Sequence, residues 1–186
     1  MSTRPTFAVD WDEKIVIVSL SGEIDLAHTE SLRQSILHAA AGQPAGVVLD
    51  VLDVTYLDSA GVRLLFLTHR ELQRRRIPLV AVLPRMPVVR RILGLAEVPS
   101  VIPVQDSRSE AIAHIKLDKA TTTAAQLQHA LDSRVLIEQA KGILAERHGV
   151  GVEQAFERMR AFARNTRRTV REIADGVVHG TLDVPV

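Results

Sequence analysis

One change of pattern constrains this chain more than any other feature. Up to about residue 116, short β-branched runs alternate with helical stripes; beyond it, no strand signal returns. Alternating strands and helices build an α/β layer, whereas successive helical stripes build a bundle. The 186 residues are therefore expected to divide into two unlike units. Residues 116–123 (KLDKATTT) lie at the change, polar and without periodicity, as an expected linker. The expected organisation is an α/β unit over 1–116, a linker over 117–123, a helical unit over 124–180 and a loose tail over 181–186.

Within the first unit, residues 14–20 (KIVIVSL) read as a strand. Residues 46–51 and 78–83 are short apolar runs, as in strands covered on both faces. Residues 101–104 are a weaker strand, and 7–10 a short edge strand. Helical faces recur at Leu32, Ile36, Leu37 and Ala40, then at Leu64, Leu65, Leu67, Thr68 and Leu72, then over 88–93. Ser107 and Glu110 have capping-box spacing and should open a fourth helix. Thr123 and Gln126 share that spacing and should open the first helix of the second unit near Ala124. That helix repeats apolar residues at steps of seven (Ala130, Ile137, Leu144, with Leu136 and Ile143 beside them) until Gly149-Val150-Gly151. Val152, Ala155, Phe156, Met159, Phe162 and Ala163 mark a second stripe. A third capping box, Thr169 and Glu172, precedes a stripe of Val170, Ile173, Ala174, Val177 and Val178. The fold class is thus a mixed α/β sheet with helices, followed by a separate all-α three-helix unit with a long first helix.

Composition removes several function classes. Hydrophobic residues make up 46% and charged residues 24%, and there is no cysteine, so no disulfide, thiolate metal site or cysteine nucleophile. No HExxH, GxGxxG or Walker pattern occurs, and the seven histidines lack ligand spacing. No catalytic residue, metal or cofactor is expected. No signal-peptide pattern or apolar run of ~18 residues occurs, so a cytoplasmic protein without a membrane partner is expected.

The first chemical feature is LDSAGVRLL, residues 57–65, after a central strand. Asp58 or Ser59 would cap the next helix, and Gly61 would let the backbone turn closely. A phosphate on Ser59 would meet the free amides of a helix N-terminus and add ~1.5–2 negative charges to the surface. A plain helix cap explains the same residues. Asp50, Asp53 and Asp58 also suggest the acidic pocket of a phosphate receiver, but the lysine which that fold needs on its last strand is missing. Residues ~6–116 resemble a STAS domain, the fold of anti-sigma-factor antagonists. The resemblance rests on SGEID (21–25), LDVTYLDSAGVRLL (52–65), PLVAVLP (78–84) and RRILGLAEV (90–98) in that order. It implies a protein partner, an anti-sigma factor that is also a serine kinase, contacting Asp25, Asp58, Ser59 and Gly61, with Ser59 as phosphoacceptor. Ala60 stands where many members have a second Ser or Thr.

The second feature is a run of six arginines from Arg158 to Arg171 with no acidic residue among them. It is local: residues 1–116 hold 13 Lys+Arg against 13 Asp+Glu, and residues 117–186 hold 10 against 9. Such a cluster could hold phosphate, with binding that weakens as salt rises. The few aromatics lie on the buried stripe, which argues against stacking of single strands. A solvated, dimerising bundle explains the charge equally well. Residues ~124–179 resemble an ANTAR domain, an RNA-binding antitermination module, through SR-x3-EQAKGIL-x-ER-x-G (133–149), EQAFERMRAFARN (153–165) and DGVV (175–178). Ala145 replaces a common Met, and Phe162 a smaller residue. The resemblance implies a homodimer through the first helix that binds tandem RNA hairpins in leader transcripts. Arg134, Lys141, Arg164, Asn165, Arg167 and Arg168 are the expected RNA contacts. The chain is then expected to be a bacterial regulator with a STAS input and an ANTAR output. The alternative is a partner-switching anti-sigma factor antagonist whose helical tail only dimerises.

Overall fold

The computed structural model describes residues 4–185. β1 (Thr6–Asp12) and β2 (Ile15–Ile24) form an antiparallel hairpin that pairs Thr6 with Ser21 and Asp12 with Ile15. β3 (Gly46–Leu57), β4 (Leu79–Val82) and β5 (Val104–Gln105) add in parallel, giving a five-stranded mixed sheet in the order β1-β2-β3-β4-β5. Each parallel step needs a crossover, supplied by α1 (Leu26–Ala39), α2 (Ser59–Arg74) and the pair α3 (Pro87–Leu95) and α4 (Val98–Val101).

Strand alternation sorts the apolar residues onto two cores. Val16, Val18, Leu20, Val47, Leu49 and Leu79 face Leu32, Ile36, Leu64, Leu65, Leu72 and Leu93. Ile15, Ile17, Val48, Val80 and Val82 face the other way, onto Ala111 and Ile115. Those two belong to α5 (Arg108–His148), which covers the second face. All of β4 and the first six residues of β3 are buried, which is why these strands read as unbroken apolar runs. Each fully buried Val, Leu or Ile contributes about 1.5–3 kcal/mol relative to exposure.

Three expectations need correction. The strand expected over 101–104 starts only at Val104: Val98–Val101 is a helical turn, and β5 has two residues. Pro103 has no N–H to donate, yet its carbonyl accepts from Ala81 N at 2.9 Å, so donation to the ladder starts only after it. Second, 117–123 is not an irregular linker but part of α5, whose 41 residues run unbroken. No Gly or Pro occurs between Arg108 and Lys141, and exposed Lys, Asp and Thr are tolerated on a solvated helix. Thr123 opens nothing, because its neighbours are already helical. The chain nonetheless divides into two compact units, Met1–Ala120 and Thr121–Val186, so the boundary falls inside the expected stretch.

In the second unit, the end of α5 packs with α6 (Val152–Thr166) and α7 (Val170–Val178) around Ala140, Leu144, Ala155, Met159, Ala163, Ile173, Ala174 and Val177. α6 stops at Arg167, which takes a left-handed φ of 54° while Arg168 N donates back to Ala163 O at 3.0 Å. The Thr169–Glu172 capping box forms as expected: Thr169 N donates to the carboxylate at 2.7 Å, and Glu172 N donates to Thr169 Oγ1 at 3.2 Å.

The third correction is the tail. Residues 181–185 are not loose: Val184 is buried and Leu182 packs against the same core. Leu182 fits because Gly176 leaves the space free; a Cβ there would lie 2.7 Å from Leu182 Cβ. Asp183 bonds Arg147 at 2.9 Å, and that guanidinium first of all holds its carboxyl below the ordinary range. A lowered carboxyl pKa favours the closed tail above the unfolded value and is lost as pH falls through the folded one. Val184→Ala is expected to cost about 1–2 kcal/mol of second-unit stability in urea denaturation, by analogy with removing buried methyls; an unchanged midpoint would mean a loose tail.

Candidate functional site

Asp25, Asp58 and Ser59, the residues expected to meet a protein partner, converge where β2 and β3 hand over to their helices. β3 ends at Leu57, Asp58 stays extended as N-cap of α2, and its Oδ1 accepts from Gly61 N at 2.9 Å. Its Oδ2 accepts from Leu26 N at 3.3 Å, at the start of α1. One carboxylate therefore serves two helix N-termini that are 32 residues apart in sequence. Asp25 completes the junction: its Oδ1 accepts from Ala27 N at 3.0 Å and bonds His28 Nδ1 at 2.7 Å. Asp58, not Ser59, is thus the cap.

Ser59 occupies the first turn of α2, exposed, and its hydroxyl makes no hydrogen bond among the described residues. Thr29, Asp58, Ser59 and Arg63 line one concavity. Arg63 lies four residues after Ser59, exposed and without an ion pair among the described residues. Sequence reading passed it over, although its (i, i+4) spacing was the signal. Gly61 matters through space and not through φ. A Cβ there would lie 2.6 Å from Leu57 Cδ1 and 3.3 Å from Ile24 Cγ2, so α2 sits directly on the ends of β2 and β3.

An ion pair between a buried carboxylate and a half-exposed arginine also escaped the sequence. Asp50, 2% exposed in the middle of β3, bonds Arg108 in the first turn of α5 and accepts from Leu52 N at 2.9 Å. Arg108 also donates to Ser19 Oγ at 3.1 Å. Removing the arginine would strand a carboxylate out of water. An Asp inside the apolar run GVVLDV was the only signal.

The cations of the second unit separate into two groups. Lys141, expected at an RNA-facing position, is instead 9% exposed. Its ammonium pairs with Glu138 at 3.1 Å and Glu153 at 3.8 Å, and lies 5.3 Å from the Phe156 ring centroid. Its charge is spent inside the unit, because α6 lays Glu153 and Phe156 against it. Arg160 pairs with Glu157 at 3.0 Å and lies near the same ring, while Arg171 bonds His129 of α5. Arg164, Asn165, Arg167 and Arg168 are exposed around the end of α6, and their side chains make no ion pair among the described residues. The Arg168 guanidinium donates forward to Glu172 O at 3.5 Å. Arg134 is exposed and unpaired too, but on α5.

Residues 6–111 match the model of the STAS domain, more than half of the chain. The chain belongs to the STAS domain family. Residues 125–178 match the ANTAR domain, so a STAS domain is followed by an ANTAR domain. BtrV of Bordetella bronchiseptica, described as a candidate anti-sigma factor antagonist, is 29% identical over 108 residues, covering 58% of this chain and 92% of that protein. The crystal structure of an anti-sigma factor antagonist from Mycobacterium paratuberculosis is 27% identical, with a TM-score of 0.56 over 61% of this chain and 95% of that one. A Thermotoga maritima structure shares the fold at 17% identity and a TM-score of 0.53, over 59% of this chain and 94% of that one. These findings make the chain a regulatory protein with an antagonist-like first domain; neither domain match is to an enzymatic family. Among the described residues no helix is long and apolar enough to cross a membrane.

The junction predicts an asymmetry between neighbours. Gly61→Ala should destabilise the first domain by about 1–3 kcal/mol through overpacking, while Ser59→Ala should change it by less than about 0.5 kcal/mol. Thermal unfolding of the two variants tests this; equal effects would break the packing argument.

Proposed function

We propose that the chain is a cytoplasmic bacterial regulator in which the STAS domain receives a protein signal and the ANTAR domain, as a homodimer, binds tandem RNA hairpins and promotes transcription antitermination. The observation that carries the RNA reading is the group Arg164, Arg167 and Arg168, with Asn165: exposed guanidinium groups with no ion pair to break. Phosphate contact there releases counterions from the RNA without costing the protein an internal pair. Recognition then runs through shape and backbone, since Phe156 and Phe162 pack toward the core. Lys141 is not among the contacts.

The dimer reading rests on α5. Leu136, Ile137, Ile143 and Leu144, expected on the dimerising seam, pack within their own unit. One turn and more upstream, Leu127, Leu131 and Val135 are 61%, 51% and 58% exposed at spacings of four. A second copy of this helix would cover them. The input reading rests on Ser59, a free hydroxyl on the Asp58 junction, as acceptor for a serine kinase that also acts as an anti-sigma factor. The alternative, a partner-switching antagonist with a merely dimerising tail, is supported by the named antagonists, which match 58% and 61% of this chain, about the extent of the STAS domain.

Three outcomes are expected. Replacing Arg164 and Arg168 with Ala should weaken binding to RNA recovered by crosslinking in native cells, and flatten its log–log salt dependence by about 0.7–0.9 per lost contact. An unchanged slope would remove these residues from the interface; full-chain protein without RNA affinity but capturing a kinase-type anti-sigma factor would favour the alternative. Leu127→Glu with Leu131→Glu should give monomers in sedimentation and lower hairpin affinity, whereas unaltered dimers would place the seam elsewhere. Incubation with the cognate kinase and ATP should label the wild type and not Ser59→Ala; label retained by the variant would move the acceptor to another residue.

A further inference from the structure

A second site lies on the first domain, away from the Asp58 junction. The C-terminal end of α2, the start of β4 and the early part of α5 enclose a cavity of about 340 Å³. Its floor is apolar, made by Ile77, Leu79 and Ile115, each less than 5% exposed. Its remaining wall carries His69, His114, Arg76 and Asp118.

Three observations set it apart from an accidental hollow. Arg76 follows the end of α2 with a left-handed φ of 59°, while Arg76 N donates to Gln73 O and Ile77 N to Leu72 O, both at 2.9 Å. Glycine is the residue that takes this position without penalty. An arginine here gains nothing visible inside the protein, since its guanidinium makes no hydrogen bond or ion pair among the described residues. Asp118, one turn after His114 on α5, is likewise exposed and unpaired among the described residues. His69 carries a buried Nδ1 with no hydrogen-bond partner, and burial holds its pKa below the ordinary value. An apolar floor thus sits beside one free cation, one free carboxylate and an imidazole with unspent hydrogen-bonding capacity, the composition of a small-molecule site.

We propose that this cavity binds a small zwitterion with an apolar body, of the size of a branched-chain amino acid, its carboxylate on Arg76, its ammonium on Asp118 and its side chain on the Ile77–Leu79–Ile115 floor. A plain fatty acid would leave Asp118 facing its carboxylate, and an amine would leave Arg76 unanswered. The site is independent of Ser59 and of the RNA-contacting arginines, so it stands or falls apart from both.

The test uses the full chain, L-leucine as probe, and two truncated probes: 4-methylpentanoate, which lacks the amine, and 3-methylbutylamine, which lacks the carboxylate. Calorimetry should register L-leucine at micromolar to millimolar strength, with each truncated probe about tenfold weaker or worse. The imidazole resonances of His69 and His114 should move on titration. Arg76→Gly, which also relieves the left-handed backbone, and Asp118→Asn should each weaken L-leucine about tenfold without lowering the unfolding temperature. Absence of any histidine shift at millimolar L-leucine would overturn the site. Equal binding of 4-methylpentanoate, or unchanged affinity in both variants, would overturn the zwitterion.

Discussion

A mostly parallel sheet cannot leave a face in water. Its crossovers place α1, α2 and α3 over Val16, Val18, Leu49 and Leu79, but Ile15, Ile17, Val48 and Val80 still need a cover. The start of α5 supplies it with Ala111 and Ile115, held by the pair between Arg108 and the buried Asp50. The same helix later contributes Ala140 and Leu144 to the second core. The stretch KLDKATTT continues as helix although its composition resembles a loop.

At the other end of the sheet a single carboxylate does comparable work. Asp58 accepts from Leu26 N and Gly61 N, and so answers orphan amides on two helices at once. The arrangement needs Gly61, because only a residue without a Cβ lets α2 approach Leu57 and Ile24 so closely. Ser59 is then left exposed by necessity: the cap is taken by Asp58 and the packing position by Gly61. An exposed hydroxyl at this point is a consequence of how its neighbours are used.

How much of this was legible in the sequence varied with how local the cause was. Thr169 and Glu172 complete their capping box within one turn, and the structure has it. Ser107 and Glu110 half succeed: Glu110 N bonds Ser107 Oγ, but the carboxylate accepts from Asp106 N instead. Thr123 and Gln126 fail, since a capping motif acts only where a helix would otherwise end. The mixed sheet and both domains followed from pattern and resemblance, but the strand order did not. The Asp50–Arg108 pair spans 58 residues, and the seating of Leu182 on Gly176 depends on where α7 sends the chain. No spacing rule reaches that far.

The cations of the ANTAR domain show the same limit in electrostatic form. On a helical wheel Lys141 lies at the edge of the apolar stripe of α5, beside Ile137 and Leu144, whereas Arg164 lies well off that of α6. The packing of α6 against α5 widens that difference, since it brings Glu153 and Phe156 to Lys141, while Arg164 has no ion pair among the described residues. A paired, desolvated ammonium must break those contacts before it can meet a phosphate, whereas an exposed guanidinium gives up only water. Counting basic residues thus overstates a nucleic-acid surface wherever acidic neighbours come from another element. The RNA surface proposed above is therefore smaller than the arginine run suggests, and it is centred on the turn where Arg167 adopts its left-handed backbone and α6 gives way to α7.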